Sequence, residues 1–101
     1  MAIFTNYIKQ DEPPKKFELT QNDPNPFRKR TVIRYSLPFK TKVVIMINNE
    51  EGLIIDKLVV PNQEQGLYEL EFLADGLPKG IYFYHLIADD YVKSREMELI
   101  K

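Results

Sequence analysis

Few side chains in this 101-residue sequence could carry out acid–base or nucleophilic chemistry. The sequence contains a single histidine, His85, and no cysteine. Catalysis by either route needs a base held beside the group it activates, and no Ser or Cys signal pairs with His85. The alternation of its predicted strand points the imidazole outward, away from the core. We therefore expect no catalytic residues, no cofactor and no enzymatic activity.

Turn aspartates are the other candidates for chemistry, because Ca²⁺ prefers carboxylate and carbonyl oxygens supplied by loops. The aspartates considered are Asp23, Asp75, Asp89 and Asp90. They lack the D-x-D-x-D spacing of a calcium loop, and the absence of cysteine removes thiolate ligands. We predict no metal site and interpret these aspartates as solvated turn residues.

The charge balance argues against nucleic acid as a partner. The sequence has 14 Lys and Arg residues against 15 Asp and Glu residues, with one short basic run at residues 28–30. A nucleic-acid site needs a concentrated basic patch. No run of about 18 apolar residues could form a membrane helix, and no export signal is visible at the N-terminus. We predict neither nucleic-acid binding nor membrane insertion, and these features leave the compartment open.

The elements that position these residues are predicted to be strands. Short β-rich runs alternate with turn signals every 8–12 residues or so, which is typical of an all-β sandwich. Charged residues 9–16, with two prolines, predict a linker, so we divide the chain into an arm and linker at 1–16 and one domain at 17–101. The seven predicted strands lie near 17–20, 31–37, 42–48, 53–60, 67–73, 81–88 and 92–100.

Alternation along these strands predicts which side chains form the core between two sheets. The predicted core residues are Ile33, Tyr35, Leu37, Val43, Ile45, Ile47, Tyr68, Leu70, Phe72, Tyr82, Tyr84, Leu86, Met97 and Leu99. Tyr82 follows Gly80 at the start of a strand. We expect its hydroxyl group to bond back to the preceding crossover, as in the tyrosine corner of Greek-key sandwiches.

The same register places a second apolar set on the opposite side of two strands: Val44, Met46, Ile81, Phe83 and Ile87. If the two strands are neighbours, these side chains form one exposed patch, and soluble monomers seldom expose more than a few hundred Å² of this kind. We predict a partner interface here, covered by the arm, by a second copy in a homodimer or by another protein. The arm and the dimer are the favoured covers. A one-residue slip in register would exchange the two faces.

Four ordered motifs resemble a known family. They are N-x-P-N-P-F at Asn22 to Phe27, I-R-Y-x-L-P at Ile33 to Pro38, G-x-Y-x-Y at Gly80 to Tyr84, and the closing residues 95–101. Over residues 17–101 the chain resembles the immunoglobulin-like modules at the C-termini of bacterial surface and secreted proteins. These modules are type IX secretion sorting domains, related to the immunoglobulin-like domain of the flagellar hook-capping protein.

The resemblance implies an all-β, seven-stranded immunoglobulin-like sandwich of Greek-key topology that acts as a sorting module without activity of its own. In such domains the secretion apparatus is thought to read the C-terminal strand region. The matching positions here are Gly80, Tyr82, Met97, Leu99 and Lys101. The resemblance also implies a secreted or cell-surface location. The alternative is a stand-alone assembly domain that binds itself or another protein through the apolar patch.

The motif at residues 22–27 also has a predicted structural role. Pro24 and Pro26 fix the backbone on both sides of Asn25. We expect this stiff segment to let Phe27 plug the open end of the core.

Overall fold

The computed structural model describes the backbone of residues 2–8 and the whole of residues 12–101. This part of the chain is all-β, and it contains no helix that could span a membrane. Its strands are β1 (Ala2–Ile8), β2 (Glu18–Leu19), β3 (Arg30–Leu37), β4 (Thr41–Asn49), β5 (Ile54–Gln63), β6 (Gly66–Leu73), β7 (Gly80–Ala88) and β8 (Tyr91–Leu99).

The strands form two antiparallel sheets packed as a sandwich. The first sheet has the order β1-β6-β3-β2 and the second has the order β5-β4-β7-β8. All seven predicted strands are present, three in the first sheet and four in the second. The eighth strand, β1, comes from the predicted arm and pairs with β6 from Ala2 opposite Leu73 to Ile8 opposite Leu67. The arm therefore extends an edge of the first sheet.

The core prediction is confirmed at every position. All 14 predicted core side chains are buried between the sheets, so the predicted register is correct along the five strands that carry them, β3, β4, β6, β7 and β8. Buried phenols need a hydrogen-bond partner. The Tyr84 hydroxyl group donates to the Thr20 carbonyl at 2.6 Å, and the Tyr35 hydroxyl group bonds Gln63 Oε1 at 2.8 Å. Burial raises the pKa of Tyr84 to about 12.

The predicted tyrosine corner is also present. The Tyr82 hydroxyl group donates to the Pro78 carbonyl at 2.6 Å, which ties the start of β7 to the crossover before it. The crossover ends at Gly80, whose φ is +149°. A side chain is strained at that φ, and a Cβ there would lie 3.4 Å from Glu50 Oε1. Glycine therefore fits the entry into β7.

The loop at residues 22–27 closes one end of the sandwich, as predicted. Phe27 is buried, with its ring centroid 6.2 Å from that of Phe72. The Asn22 side chain is buried inside the loop, where its amide donates to the Pro24 carbonyl and to Thr31 Oγ1, both at 3.1 Å. Both X–Pro bonds of this loop are cis.

The loop has a second role that the sequence did not reveal, because it pairs with the free edge of β8. The Phe27 amide donates to the Glu98 carbonyl at 2.9 Å, and the Ile100 amide donates to the Phe27 carbonyl at 2.8 Å. The side-chain oxygen of Asn25 accepts from the Glu98 amide at 3.0 Å. The loop therefore covers the edge of the last strand at its C-terminal end, at Glu98 and Ile100.

One strand boundary differs from its prediction by more than one residue. The sequence places the end of the fourth predicted strand at residue 60, just before Pro61, but β5 continues to Gln63. The continuation is possible because β5 is an edge strand, and proline is tolerated where its missing N–H would face away from the sheet. A register irregularity between Thr41 and Val43 lies opposite this proline.

Candidate interaction surface

The five predicted interface side chains lie on the outer face of the second sheet, defined here as the side of that sheet that points away from the core. The strands β4 and β7 are adjacent, with Val44 opposite Ile87 and Asn48 opposite Phe83. Val44, Met46, Ile81, Phe83 and Ile87 are all half-buried. The structure therefore brings them together on two neighbouring strands.

The apolar surface extends onto both flanking strands. Val59 of β5 lies opposite Val44, and Val92 of β8 lies opposite Ile87. These four side chains form an aliphatic row across the whole outer face. The two end residues are well exposed, Val59 at 43% and Val92 at 65%, as is Ile54 of β5 at 52%. Alternation along the sequence does not reveal these three, because strand order decides which strands flank β4 and β7.

A polar group crosses the centre of this face. His85 Nδ1 is hydrogen-bonded to Ser94 Oγ at 2.6 Å, and His85 Nε2 is hydrogen-bonded to Asn48 Oδ1. His85 points outward, as predicted. The prediction that no serine lies beside it is wrong, because Ser94 is its hydrogen-bond partner. The sequence feature that predicts this pair is the Asp89-Asp90 turn, because a two-residue hairpin loop fixes Ser94 opposite His85.

A serine, a histidine and an amide in one hydrogen-bonded row are the residue types of a nucleophile, its base and an orienting group. Such a row also needs donors for the oxyanion that forms during acyl transfer. The backbone of β7 around His85 is engaged between β4 and β8 in the described sheet. A cavity of about 580 Å³ lies beside the linker near Lys16 and Arg34 and is not lined by His85. The row therefore contributes a polar strip to an open face.

Charges lie at opposite edges of the outer face. Lys57 of β5 is opposite Met46, and Glu96 of β8 is opposite Phe83, so both point outward. Within the described residues, neither side chain forms an ion pair. The outer face of this sheet thus has one basic edge and one acidic edge.

The outer face of the first sheet is different, because the charged side chains of its strands β3 and β6 pair with one another. Arg34 pairs with Glu69 at 2.7 Å, and Arg30 pairs with Glu71 at 2.8 Å. These cross-strand pairs place charged side chains along the middle of that face. The β3 and β6 part of that face is therefore charged along its middle, whereas the middle of the second sheet's outer face carries the apolar side chains of β4 and β7.

The predicted sorting residues lie together at one end of β7 and β8. Gly80 is opposite Leu99, and Tyr82 is opposite Met97. Tyr82, Met97 and Leu99 are core residues, and Lys101 is exposed just beyond the last strand. In the folded chain, Lys101 is thus the most accessible of the five.

The turn aspartates do not form a cluster. Asp89 and Asp90 connect β7 to β8, and Asp89 has the left-handed φ of 54° that short hairpin turns use. Asp23 bridges to Val32, and Asp75 lies in the crossover before β7. Among the described residues, no three His, Asp or Glu side chains are close enough to hold a metal ion.

Neither the models of known protein families nor the curated proteins compared with this chain give a match.

Proposed function

We propose that this chain is a non-catalytic, immunoglobulin-like interaction module that binds a protein through the outer face of its second sheet. One observation carries the proposal: this face has an aliphatic row across all four strands, with charges at its edges that form no ion pair among the described residues. Apolar patches of this kind mark binding surfaces. The satisfied charges on the opposite face provide the contrast within the same molecule.

The immunoglobulin-like part of the proposal is supported by strand order. Counting the seven strands β2 to β8, the first, second and fifth form one sheet and the third, sixth and seventh lie together in the other. This order and the Tyr82 tyrosine corner are features of immunoglobulin-like sandwiches. The fourth strand, β5, pairs with β4, whereas in constant-type domains it joins the other sheet.

Single-cysteine labelling tests the interaction surface, because the chain has no cysteine of its own. A Met46→Cys variant places one thiol on the outer face, and Lys15→Cys places a control thiol on the exposed linker. In cells that produce the chain, maleimide labelling of Met46→Cys should be at least several-fold slower than in the dilute purified protein. Labelling of Lys15→Cys should change little. Equal labelling of Met46→Cys in both settings would reject the proposal.

A second candidate function is the sorting module of the resembled family, with a secreted or cell-surface location. It is favoured by the grouping of Gly80, Tyr82, Met97 and Leu99 in two cross-strand pairs beside Lys101. The test is to fuse the whole chain to the C-terminus of an exported reporter in a bacterium with type IX secretion. Export of the reporter to the surface, and its loss when the last five residues are removed, would support this function. A reporter that stays in the periplasm would count against it.

A further inference from the structure

We infer that the partner on the outer face is a second copy of this chain, related by a two-fold axis parallel to the strands. The inference rests on the proposed function and names its partner. It comes from the arrangement of charges and apolar rows on the face. Both must complement themselves in a two-fold dimer, because the same patch is used twice.

The charges select the direction of the axis. A two-fold axis parallel to the strands, midway between β4 and β7, places β5 of one copy over β8 of the other. Lys57 then lies over Ser94 of the partner subunit, because both are level with Met46 and His85. Glu96 of the partner subunit is the next outward-facing position, about 7 Å along the strand, which a lysine side chain can reach. The pair occurs twice. An axis perpendicular to the strands would instead place β5 over β5, with Lys57 facing the same lysine of its partner. Only the parallel axis joins opposite charges.

The same axis matches the apolar rows. It keeps each row at its own level along the strands, so the aliphatic row lies against itself. Val59 meets Val92 of the partner subunit, and Val44 meets the partner's Ile87. Sheets packed face to face in this aligned way lie about 10 Å apart and interdigitate their side chains. The dimer interface therefore contains four aliphatic contacts in addition to the two ion pairs.

The other predicted covers are less suited to this face. The backbone of β1 is already paired along the edge of the first sheet, so the arm is used elsewhere. The partner must carry an acidic edge opposite Lys57 and an aliphatic row, and the chain itself supplies both. Four strands about 4.8 Å apart and about 20 Å long give roughly 400 Å² of flat contact per copy. That area is small for a stable complex, so we expect affinity in the micromolar range.

Sedimentation velocity of the full chain from 1 µM to 1 mM tests the dimer. The unmodified chain should shift from monomer to dimer across this range. Lys57→Glu and Glu96→Lys should each weaken the dimer about tenfold, because each change turns two attractions into two repulsions. The double variant should restore much of the loss. The control, Lys15→Glu, makes the same charge change on the exposed linker and should have no effect.

An apolar variant gives a second measurement. Phe83→Asp introduces a charge into the half-buried outer face and should weaken the dimer at least 100-fold. Its circular dichroism must match that of the unmodified chain. Because the charge-swap variants change only exposed side chains, they keep the test valid if Phe83→Asp fails to fold.

The outcomes separate this inference from the proposed function. A strict monomer at 1 mM, or a dimer that ignores both charge variants, would overturn the inference. If Met46→Cys is nevertheless protected in cells, the surface binds a different protein and the proposed function remains. If Met46→Cys is unprotected and the chain is a monomer, both fail.

Discussion

Two tyrosines show how single polar atoms hold this sandwich together. The Tyr84 hydroxyl group lies inside the core and bonds the Thr20 carbonyl, so the interior of the second sheet is tied to the segment that follows β2. The Tyr82 hydroxyl group bonds the Pro78 carbonyl, so the start of β7 is tied to the crossover before it. Each bond satisfies a polar group that would otherwise be costly to bury. The neutral phenol is the form that these sites favour.

The raised pKa of Tyr84, about 12, predicts a loss of stability at high pH. Because the folded-state pKa lies above the unfolded value near 10, the stabilisation is complete below pH 10 and is lost between pH 10 and 12. The free energy of unfolding should fall by up to about 1.4 kcal/mol per pH unit in that window. Urea unfolding from pH 8 to 11.5 measures this slope. In Tyr84→Phe the free energy of unfolding should depend less on pH in this window, and at pH 8 it should be about 1 kcal/mol lower than in the unmodified chain.

A matched control for this prediction is Tyr91→Phe, which removes a phenol from a half-buried ring stacked on Phe17. Its slope above pH 10 should stay close to that of the unmodified chain. A Tyr84→Phe variant with an unchanged slope would show that alkaline unfolding has another origin.

The residue that could be predicted least well was His85. Its outward direction follows from alternation alone, but its partners depend on pairings between three strands. Ser94 was predictable in principle from the two-residue turn at Asp89-Asp90. Asn48 was not, because β4 and β7 are separated by two strands in the chain and only the folded sheet brings them together.

At the scale of elements, the loop at residues 22–27 has two structural roles. It closes the end of the core with Phe27 and covers the edge of β8 with backbone and side-chain bonds. Exposed edge strands invite pairing with other chains, and covering the edge is one way in which proteins prevent it. The sequence predicted the first role from the two prolines and the terminal aromatic residue. The second depends on where β8 lies.

The edge bond of Asn25 gives a specific prediction. Asn25→Ala removes the acceptor of the Glu98 amide, so this amide should exchange its hydrogen at least tenfold faster, and stability should fall by about 1 kcal/mol. Hydrogen exchange followed by NMR measures both effects. Asn62→Ala, a change at an exposed position of β5, should leave the Glu98 amide unaffected. Unchanged exchange in Asn25→Ala would mean that the loop does not protect this edge.

At the scale of the whole molecule, the fold could be predicted well beyond its class. All seven strands and all 14 core residues followed from alternation and turn signals, because each of the five strands that carry the core residues has one buried face. Strand order could not be predicted in this way, so the flanking residues Val59 and Val92 were not predicted as part of the outer face. The arm was predicted as a separate segment, but its backbone forms β1. Pairing between distant segments leaves no periodic trace in a sequence.

The overall dimensions turn the proposed dimer into a scattering prediction. The Cα radius of gyration of one copy is 13.3 Å, and its longest extent is 38 Å. Two sandwiches stacked face to face have centres about 20 Å apart, which raises the radius of gyration to about 17 Å. Small-angle X-ray scattering at 1 mM measures this value. Phe83→Asp at the same concentration should shift the radius of gyration toward the value of one copy. End-to-end association would instead nearly double the longest extent.

The covered edge of β8 has a consequence for how partners are chosen. Because the loop occupies this edge at Glu98 and Ile100, a foreign strand cannot pair through its backbone with the C-terminal end of β8. Backbone pairing accepts many sequences, because every residue offers the same amide and carbonyl groups. Contact through the outer face instead reads individual side chains, where shape and charge differ at each position. The identity of the bound partner should therefore be open to change by a few substitutions, without alteration of the fold that presents them.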